Sequence, residues 1–296
     1  MSTTNNKEKK YVVAGASTNL LLLVMKFYVA ICAHSAALMA DAIHSLFNLF
    51  GDGLAVAFMA LNKRAKNDSH DYGYGRYATV MCLAISLVLF VAAFFWGFKC
   101  AGDFILFMQG VFPVNVRFAA IIAAVVSVFV LLALSRFAVR HAQQLNSDVL
   151  TRAAHRYDFD MWSSLGTFIV LLPVVIVAGK WKVLDVLAAM VICLFVMLEA
   201  CRLFRNALDE LLDKSLPEDT EADLAKLAAG VDGVEAVTGV LTRKVGGQMA
   251  IELNVTMSGE DSLDVIHQRV KEIKQLINDK YDQVTHLAVH VEPSNQ

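Results

Sequence analysis

The chain contains six separate apolar segments, and this feature limits its possible folds more than any other. A membrane-spanning helix needs about 20 mainly apolar residues. The composition agrees with such helices, because 57% of the 296 residues are hydrophobic, 18% are charged, and the mean hydropathy is +0.53. The sequence therefore predicts an all-α transmembrane domain over residues 1–209, with six spans at roughly 11–32, 37–61, 77–98, 117–139, 158–178 and 183–203.

Basic residues are distributed unevenly between the loops that join these segments. One set of loops carries only Lys99, Arg117, Lys180 and Lys182, whereas the N-terminus and the other loops carry twelve Lys and Arg residues. Because cytoplasmic loops are enriched in Lys and Arg, both termini are predicted to be cytoplasmic. The first segment has no small-residue cleavage pattern, so we expect a multi-pass protein of the inner, cytoplasmic membrane.

The C-terminal tail differs from the membrane segments in composition and in pattern. Residues 210–296 hold 8 Lys and Arg against 16 Asp and Glu, whereas residues 1–209 hold 18 against 12. Helical periods at 218–230 and 262–281 are interspersed with strand-like patterns at 234–244, 248–258 and 284–292. The order αββαβ predicts a small cytoplasmic α+β domain over residues 210–296, ferredoxin-like or metallochaperone-like, with both helices on one face of the sheet. A regulatory or dimerising role is expected for this domain.

The second span carries a polar stripe within the stretch ALMADAIHSLFNLFGDG, residues 37–53. At about 100° per residue, Asp41, His44, Asn48 and Asp52 fall within an arc of about 80° on one helix face. An ionisable side chain inside a membrane costs about 2.5–3.5 kcal/mol and usually marks a pathway or a site. The alternatives are a water-exposed helix end or hydrogen bonding between helices.

A second polar stretch, AAHRYDFDMWSS at residues 153–164, begins near the fifth span. His155 and Asp158 share one helix face, whereas Arg156 and Asp160 share another. Only one of these faces can point directly at the second span. A His and carboxylate pair that meets His44 and Asn48 would supply four N and O ligands, enough for a tetrahedral divalent cation such as Zn²⁺.

The order and spacing of the motifs resemble the cation diffusion facilitator family of divalent metal cation/proton antiporters. The similarity covers nearly the whole chain. It rests on Lys26 in the first span, LMADAIHSLFNLFGD in the second, HDYGYGR at 70–76, the NS…D…SS pattern at 146–164, Asp185, LLDKSLPED at 211–219 and the αββαβ tail. The resemblance implies a homodimer in a lipid bilayer that exchanges metal ions for protons. The metal would be its substrate, and no cofactor is expected.

The resemblance also places the transport ligands, and one position departs from the family. The second-span pair falls on His44 and Asn48. The fifth-span pair falls on Asp160 and on Arg156, where the family has His, and a guanidinium cannot bind a metal. In one alternative His44, Asn48 and Asp160 bind the ion with Asp41 or water. In the other, the helix is turned so that His155 and Asp158 face the site.

Three further groups of residues follow from the resemblance. A weak metal site in the loop before the third span would use Asp68, His70 and Asp71, although Tyr74 replaces a second His. A metal site in the cytoplasmic domain would use His267, His290 and Glu292, with His286 as an additional candidate. Arg76 and Asp213 match a basic and an acidic family position and are expected to form a structural charge pair near the dimer interface.

These observations favour a secondary active transporter over an enzyme. The predicted function is divalent metal efflux by proton antiport, with zinc preferred and Mn²⁺ or Fe²⁺ as alternatives, because carboxylate and carbonyl donors suit harder ions. Metal binding to His requires the neutral imidazole, so binding would release a proton. The sequence has no P-loop, and neither a nucleotide nor a nucleic acid is an expected partner. The competing prediction is a non-transporting membrane scaffold, or partner of a transporter, because Arg156 replaces a ligand.

Overall fold

The computed structural model describes residues 2–62, 70–71, 73–111, 116–145, 148–177, 179–281 and 283–294. The chain forms two compact units. The first contains Met1–Ala57 and Ala84–Phe204, and the second contains Phe58–Leu83 and Arg205–Gln296. A helical membrane part and a small α+β part are both present, so the predicted fold class is confirmed.

Six long helices account for the membrane part, and each predicted span lies largely within one of them. The helices are α1 (Ser2–Ala33), α2 (Ala36–Asn62), α3 (Gly75–Met108), α4 (Ala119–Leu145), α5 (Asp148–Ile176) and α6 (Val183–Leu211). Among the described residues, five of them are long and apolar enough to cross a membrane, and α2 contains the shorter apolar stretch Ala36–Gly51. A short 3₁₀ helix at Gly179–Lys182 precedes α6.

Buried side chains of α2 pack against several neighbouring helices in the first unit. Ala40 packs in a buried cluster with Cys100 of α3 and with Val186, Ala189 and Cys193 of α6. On another side, Leu38 packs with alanines of α1 and α4. The start of α2 is therefore buried on two sides.

The start of α2 is fixed by a carboxylate from another helix. Asp185, in the first turn of α6, accepts hydrogen bonds from Ser35 Oγ at 2.8 Å, Ala36 N at 2.7 Å and Ala37 N at 3.1 Å. Free backbone N–H groups at a helix start need acceptors, and an acidic side chain there also interacts favourably with the helix dipole. Asp185 therefore caps α2 from outside its own chain segment and ties it to α6.

The C-terminal part has the predicted αββαβ order: α7 (Glu218–Ala229), β1 (Val234–Val245), β2 (Gln248–Met257), α8 (Leu263–Lys280) and β3 (Val284–Pro293). The sheet order is β1-β2-β3, with β1 antiparallel and β3 parallel to β2. Alternate residues of β2, namely Ile251, Leu253, Val255 and Met257, pack with Leu224 of α7 and with Ile273 and Ile277 of α8. One face of the sheet therefore holds the core, and the other face lacks a helix layer among the described residues of this unit.

Two glycines of the second unit lie in close backbone contact. Gly246, in the β1–β2 turn, has φ +58°, and a Cβ atom there would lie 2.5 Å from the Cα atom of Gly75 at the start of α3. Glu210 Oε1 accepts hydrogen bonds from Gly246 N and from Thr79 Oγ1, both at 2.6 Å. The hairpin turn is thus held against the first turns of α3 without an intervening side chain.

Candidate metal centre

A buried polar cluster joins α1, α2 and α5 in the middle of the first unit. Lys26 Nζ lies 2.9 Å from Asp41 Oδ2, and it donates hydrogen bonds to Ser45 Oγ at 2.7 Å and Ser164 Oγ at 2.8 Å. All four side chains are buried. Buried charges need partners because their desolvation is costly, and each charge in this cluster has one.

Asp41 has contacts to both of its carboxylate oxygens. Oδ2 contacts Lys26 and also accepts a hydrogen bond from Ser164 at 3.0 Å, and Oδ1 accepts a hydrogen bond from Ser163 at 3.0 Å. Both serines belong to α5, three and four residues after Asp160. Asp41 is therefore held between an ammonium group and two hydroxyl groups, which fix its orientation.

His44 and Asp160 form the part of the cluster that retains unused polar atoms. His44 Nδ1 lies 3.4 Å from Asp160 Oδ1, and Ser45 Oγ donates to that same oxygen at 3.0 Å. His44 Nδ1, Asp160 Oδ2 and Asn48 Nδ2 are buried and have no hydrogen-bond partner among the described residues. Rotation of the Asn48 amide would exchange its N and O atoms. Buried polar atoms without partners are rare and call for an explanation such as an ion.

The separation between His44 and Asp160 suits a shared metal ion. Two ligands at 2.0–2.1 Å from a tetrahedral ion are about 3.4 Å apart. One ligand atom from each of Asp41, His44 and Asp160 can be chosen so that all three lie within 4.8 Å of one another, and no other group of three or more His, Cys, Asp or Glu in the described part of the chain is close enough to hold an ion.

The charges of the cluster match a divalent ion. Glu199 of α6 lies with Oε2 3.9 Å from His44 Nε2, and its side chain is 29% exposed. With neutral His44, the ammonium of Lys26 and the carboxylates of Asp41, Asp160 and Glu199 give a formal charge of −2. A divalent cation would neutralise this charge.

The other fifth-span candidates lie outside the cluster. His155 is exposed and Asp158 is half-buried. Arg156 is half-buried, and a Cβ atom at Gly51 of α2 would lie 3.8 Å from its Cδ atom. The structure therefore brings His44 of α2 and Asp160 of α5 together, buries Asn48 one turn further along α2, places Arg156 beside Gly51 of α2, and leaves His155 at the surface. The side chain of Asp52 lies outside the described residues.

The loop residues have other contacts. His70 Nε2 lies 3.1 Å from the Tyr77 hydroxyl, and the His70 ring stacks on Tyr74 with centroids 4.4 Å apart. Asp71 is exposed, and Asp68 lies outside the described residues. Arg76 Nη2 donates to Asp213 Oδ1 at 2.5 Å, and Arg243 Nη1 lies 3.7 Å from Asp213 Oδ2.

The cytoplasmic candidates lie in two layers of one protomer. His286, His290 and Glu292 belong to β3, on the face opposite to Leu287, Val289 and Val291, which pack on the core. His267 belongs to α8, on the helical side of the sheet, and is exposed. Within one protomer the sheet therefore separates His267 from the strand residues.

Lys26 and Glu199 contact the candidate ligands, yet the sequence alone did not assign either of them to the site. Both are ionisable residues within apolar spans, and that property by itself marks candidates for function. The sequence does not show how α1 and α6 are rotated about their axes, and this rotation decides whether Lys26 and Glu199 contact the polar stripe on α2.

Comparisons with known proteins identify the family of the chain. The family model described as the cation efflux transmembrane domain matches residues 12–212, and the model of the cation efflux protein cytoplasmic domain matches residues 216–294.

Individual relatives are similar over nearly their whole lengths. The manganese efflux system protein MneP of Bacillus subtilis is 20% identical over 96% of both chains. The cation-efflux pump FieF of Shewanella oneidensis is 26% identical over 96% of this chain and 95% of its own. Among solved structures, the MamM C-terminal domain in a cadmium form is 20% identical, covers 26% of this chain and 98% of its own, and aligns with a TM-score of 0.25. The chain therefore belongs to the cation diffusion facilitator family, as a multi-pass membrane transporter for the efflux of divalent cations and not an enzyme.

Proposed function

We propose that this protein exports Mn²⁺ or a similarly hard divalent ion in exchange for protons, with His44, Asn48 and Asp160 as ligands. The observation that carries this proposal is the set of buried polar atoms without partners on these three residues. They come from two facing helices, and one of them, His44 Nδ1, lies 3.4 Å from the other carboxylate oxygen of Asp160, Oδ1, which is a suitable separation for two ligands of one ion.

The donor atoms support a hard ion over zinc. His44 supplies the only imidazole of the buried cluster in the described residues, because His155 is exposed. Asp160 and Asn48 offer oxygen donors, which favour Mn²⁺ and Fe²⁺ more than a His-rich site would. The name of the Bacillus subtilis relative, a manganese efflux protein, points the same way. Zn²⁺ remains the ion against which this selectivity must be measured.

Lys26 keeps Asp41 out of the coordination sphere in this proposal. The carboxylate of Asp41 already forms an ion pair with Lys26 and accepts hydrogen bonds from Ser163 and Ser164. Asp41 is then a positioning residue, and Lys26 sets the charge of the site so that a divalent ion neutralises it. A site with one more unpaired carboxylate would bind a divalent ion more tightly and release it more slowly.

Proton coupling follows from the chemistry of His44. A protonated imidazole cannot bind the ion, so binding displaces the proton and protonation displaces the ion. Asp160 lies beside His44 and attracts either the proton or the metal. Two cations thus compete for one buried position, which is the requirement for exchange.

The test is metal flux into proteoliposomes under an imposed pH gradient, with Mn²⁺, Fe²⁺, Co²⁺, Zn²⁺ and Cd²⁺ compared. We expect uptake that depends on the gradient and is fastest for Mn²⁺. Zn²⁺ transport faster than Mn²⁺ would refute the proposed selectivity. Flux that is independent of the gradient would refute antiport.

Arg156 favours a second candidate function, a membrane scaffold without transport. Its side chain runs beside Gly51 of α2 at a position where the family has a ligand. The absence of flux for all five metals would support the scaffold. An Arg156→His variant that gains Zn²⁺ affinity would show that this position faces the ion.

We further propose a homodimer in the cytoplasmic membrane with both termini in the cytoplasm. In such a dimer, His290 and Glu292 of one protomer would need a ligand from the partner to hold a regulatory ion, because the sheet separates them from their own His267. Light scattering of the purified protein with and without added metal tests the dimer and its response.

A further inference from the structure

A cavity with several polar side chains in its walls lies within the second unit. It has a volume of about 440 Å³ and lies between the first turn of α3 and the sheet. Its polar walls are formed by His70, Arg76, Tyr77, Arg243, Thr285 and His286, which we call the arginine cavity. No Asp or Glu is among the described residues that line it.

Two side-chain nitrogens of the arginine cavity lack a partner in the described part of the chain. Arg243 Nε and His70 Nδ1 are buried and form no hydrogen bond with any described residue. Asp213 forms an ion pair with Arg243 through Nη1 at 3.7 Å and accepts a hydrogen bond from Arg76, and this leaves Arg243 Nε without an acceptor. A guanidinium group donates and never accepts. The partner that Arg243 Nε requires must therefore be an acceptor.

The set of side chains selects an anion and disfavours a metal. Arg76 and Arg243 share one carboxylate, that of Asp213, so the pair keeps a net positive charge that repels a metal cation, and guanidinium groups bind phosphate through paired N–H groups. Imidazole and hydroxyl groups on the same walls supply further hydrogen bonds to a tetrahedral oxyanion. We propose that the arginine cavity is a binding site for a phosphate group, carried either by an anionic lipid headgroup or by a free phosphate.

The cavity adjoins the start of the third span, so either a lipid headgroup or a free phosphate is a possible source of the phosphate group. Arg76 and Tyr77 stand in the first turn of α3, immediately before the apolar part of the third span. Tyr and Arg are common at the headgroup level of membranes. A bound phosphate would join the start of α3 to β1 and β3 of the sheet. Binding would therefore raise the thermal stability of the protein.

The experiment measures the midpoint of thermal unfolding of the full-length protein in detergent, with EDTA present to remove metals. Inorganic phosphate is titrated into the wild type, Arg243→Gln, Arg243→Lys and Lys244→Gln. Lys244 is the control because it is the adjacent, exposed residue of β1 and does not line the cavity. We expect phosphate to raise the midpoint of wild type and Lys244→Gln. In both Arg243 variants the apparent affinity should fall about tenfold or more, because a charge-assisted pair of hydrogen bonds is lost.

Each shift is compared with the variant's own midpoint without phosphate, so a lower starting stability does not obscure the result. Equal shifts in the Arg243 variants and in Lys244→Gln would overturn the proposal.

A second experiment compares the protein in nanodiscs of phosphatidylcholine with and without phosphatidylglycerol. Protection by phosphatidylglycerol alone identifies a lipid headgroup, and protection by inorganic phosphate identifies the free ion. The absence of protection in both experiments also overturns the site. Neither experiment contains a transported metal, so the result is independent of the proposed transport.

Discussion

The histidines of the membrane part and of the cytoplasmic domain differ in what their surroundings reveal. His44 is 3% exposed and lies beside Asp160 of α5 and Glu199 of α6. His290 is exposed on the edge strand β3. In an apolar environment a polar side chain without a partner is costly, so the unpaired atoms at His44 support the proposal that an ion binds there. At a solvated surface an unpaired polar atom costs almost nothing, and it carries no comparable information.

The largest expected effect comes from Asp160, which is buried beside His44. Asp160→Asn preserves the shape of the side chain but removes its charge. We expect metal flux to fall by about 100-fold or more, because a charged ligand is lost. Asp158→Asn, two residues away and half-buried, is the control and should transport at nearly the wild-type rate. Wild-type flux in Asp160→Asn would exclude Asp160 as a ligand.

Substitutions of Lys26 test whether its positive charge sets the metal affinity of the membrane site. Lys26→Gln should lower the KM for metal by roughly 10- to 100-fold, because one positive charge leaves a poorly screened site, while kcat falls. Lys26→Arg retains the charge and should recover part of the turnover. Lys99→Gln, an exposed lysine of α3, is the control. A higher KM in Lys26→Gln would contradict the proposed role of the ammonium group.

Gly246 tests whether the second unit depends on one close backbone contact. Gly246→Ala should cost about 1–2 kcal/mol for the left-handed conformation, with roughly 1–3 kcal/mol more for the clash with Gly75. Gly247→Ala is a matched control, since Gly247 has φ +73° but a Cβ atom added there would meet no atom within 4 Å. Thermal unfolding should show the larger loss at Gly246. Equal losses would mean that the contact with Gly75 is easily displaced.

His290, on the surface, tests the expectation that losing an exposed histidine leaves transport nearly unchanged. His290→Ala should change metal flux by less than about threefold, whereas His44→Ala should lower it by about 100-fold or more. The reason is that His290 is exposed, whereas His44 is buried beside Asp160. Flux measured for both variants in the same vesicles decides the point. A loss at His290 as large as that at His44 would show that the cytoplasmic site controls transport.

The smallest effect is expected at a surface contact between α7 and α8. Asp223 Oδ1 accepts from Lys280 Nζ at 2.7 Å, and Oδ2 accepts from the Tyr281 hydroxyl at 2.6 Å. The hydrogen bonds from Lys280 and then Tyr281 lower the pKa of Asp223. The hydrogen bond to Asp223 raises the pKa of Tyr281 to about 12.

The signs of these two pKa shifts give a pH window. The folded-state pKa of Asp223 is lowered, so its contribution to stability exists above the unfolded pKa near 3.9 and disappears as pH falls through the folded value. The pKa of Tyr281 is raised, so its contribution exists below about 10 and disappears as pH rises towards 12. Tyr281→Phe should lower the unfolding midpoint slightly between these limits and match wild type outside them. A constant difference at all pH values would contradict this assignment.

The sequence predicted the helices well because hydropathy is a local property. Each span lies largely within its helix, but the helices are longer, and α3 continues to Met108 although the predicted span ended at residue 98. Residues 99–108 include Lys99 and Asp103 among apolar side chains. A helix does not have to stop where the membrane does. Strands β1 to β3 were also predicted closely, since alternation is local too.

The candidate site was predictable only in part. The stripe of Asp41, His44 and Asn48 follows from the helical period of one segment. The choice between His155 and Asp160 depends on the rotation of α5, and a single residue changes that direction by about 100°. The position of Lys26 depends on how α1 packs against two other helices, which no pattern within α1 reveals.

The proposed ligands come from helices with different attachments. His44 belongs to α2, which Asp185 ties to α6, whereas Asp160 belongs to α5, whose Ala153, Ala154 and Tyr157 pack with α4. An ion bound to both residues would therefore add a further link between α2 and α5, beside the hydrogen bonds of Asp41 with Ser163 and Ser164. Sliding of one helix by about 1–2 Å is a typical shift between packed helices. Such a shift would lower the coordination number of the ion before any backbone hydrogen bond breaks, so the ion could be released without local unfolding.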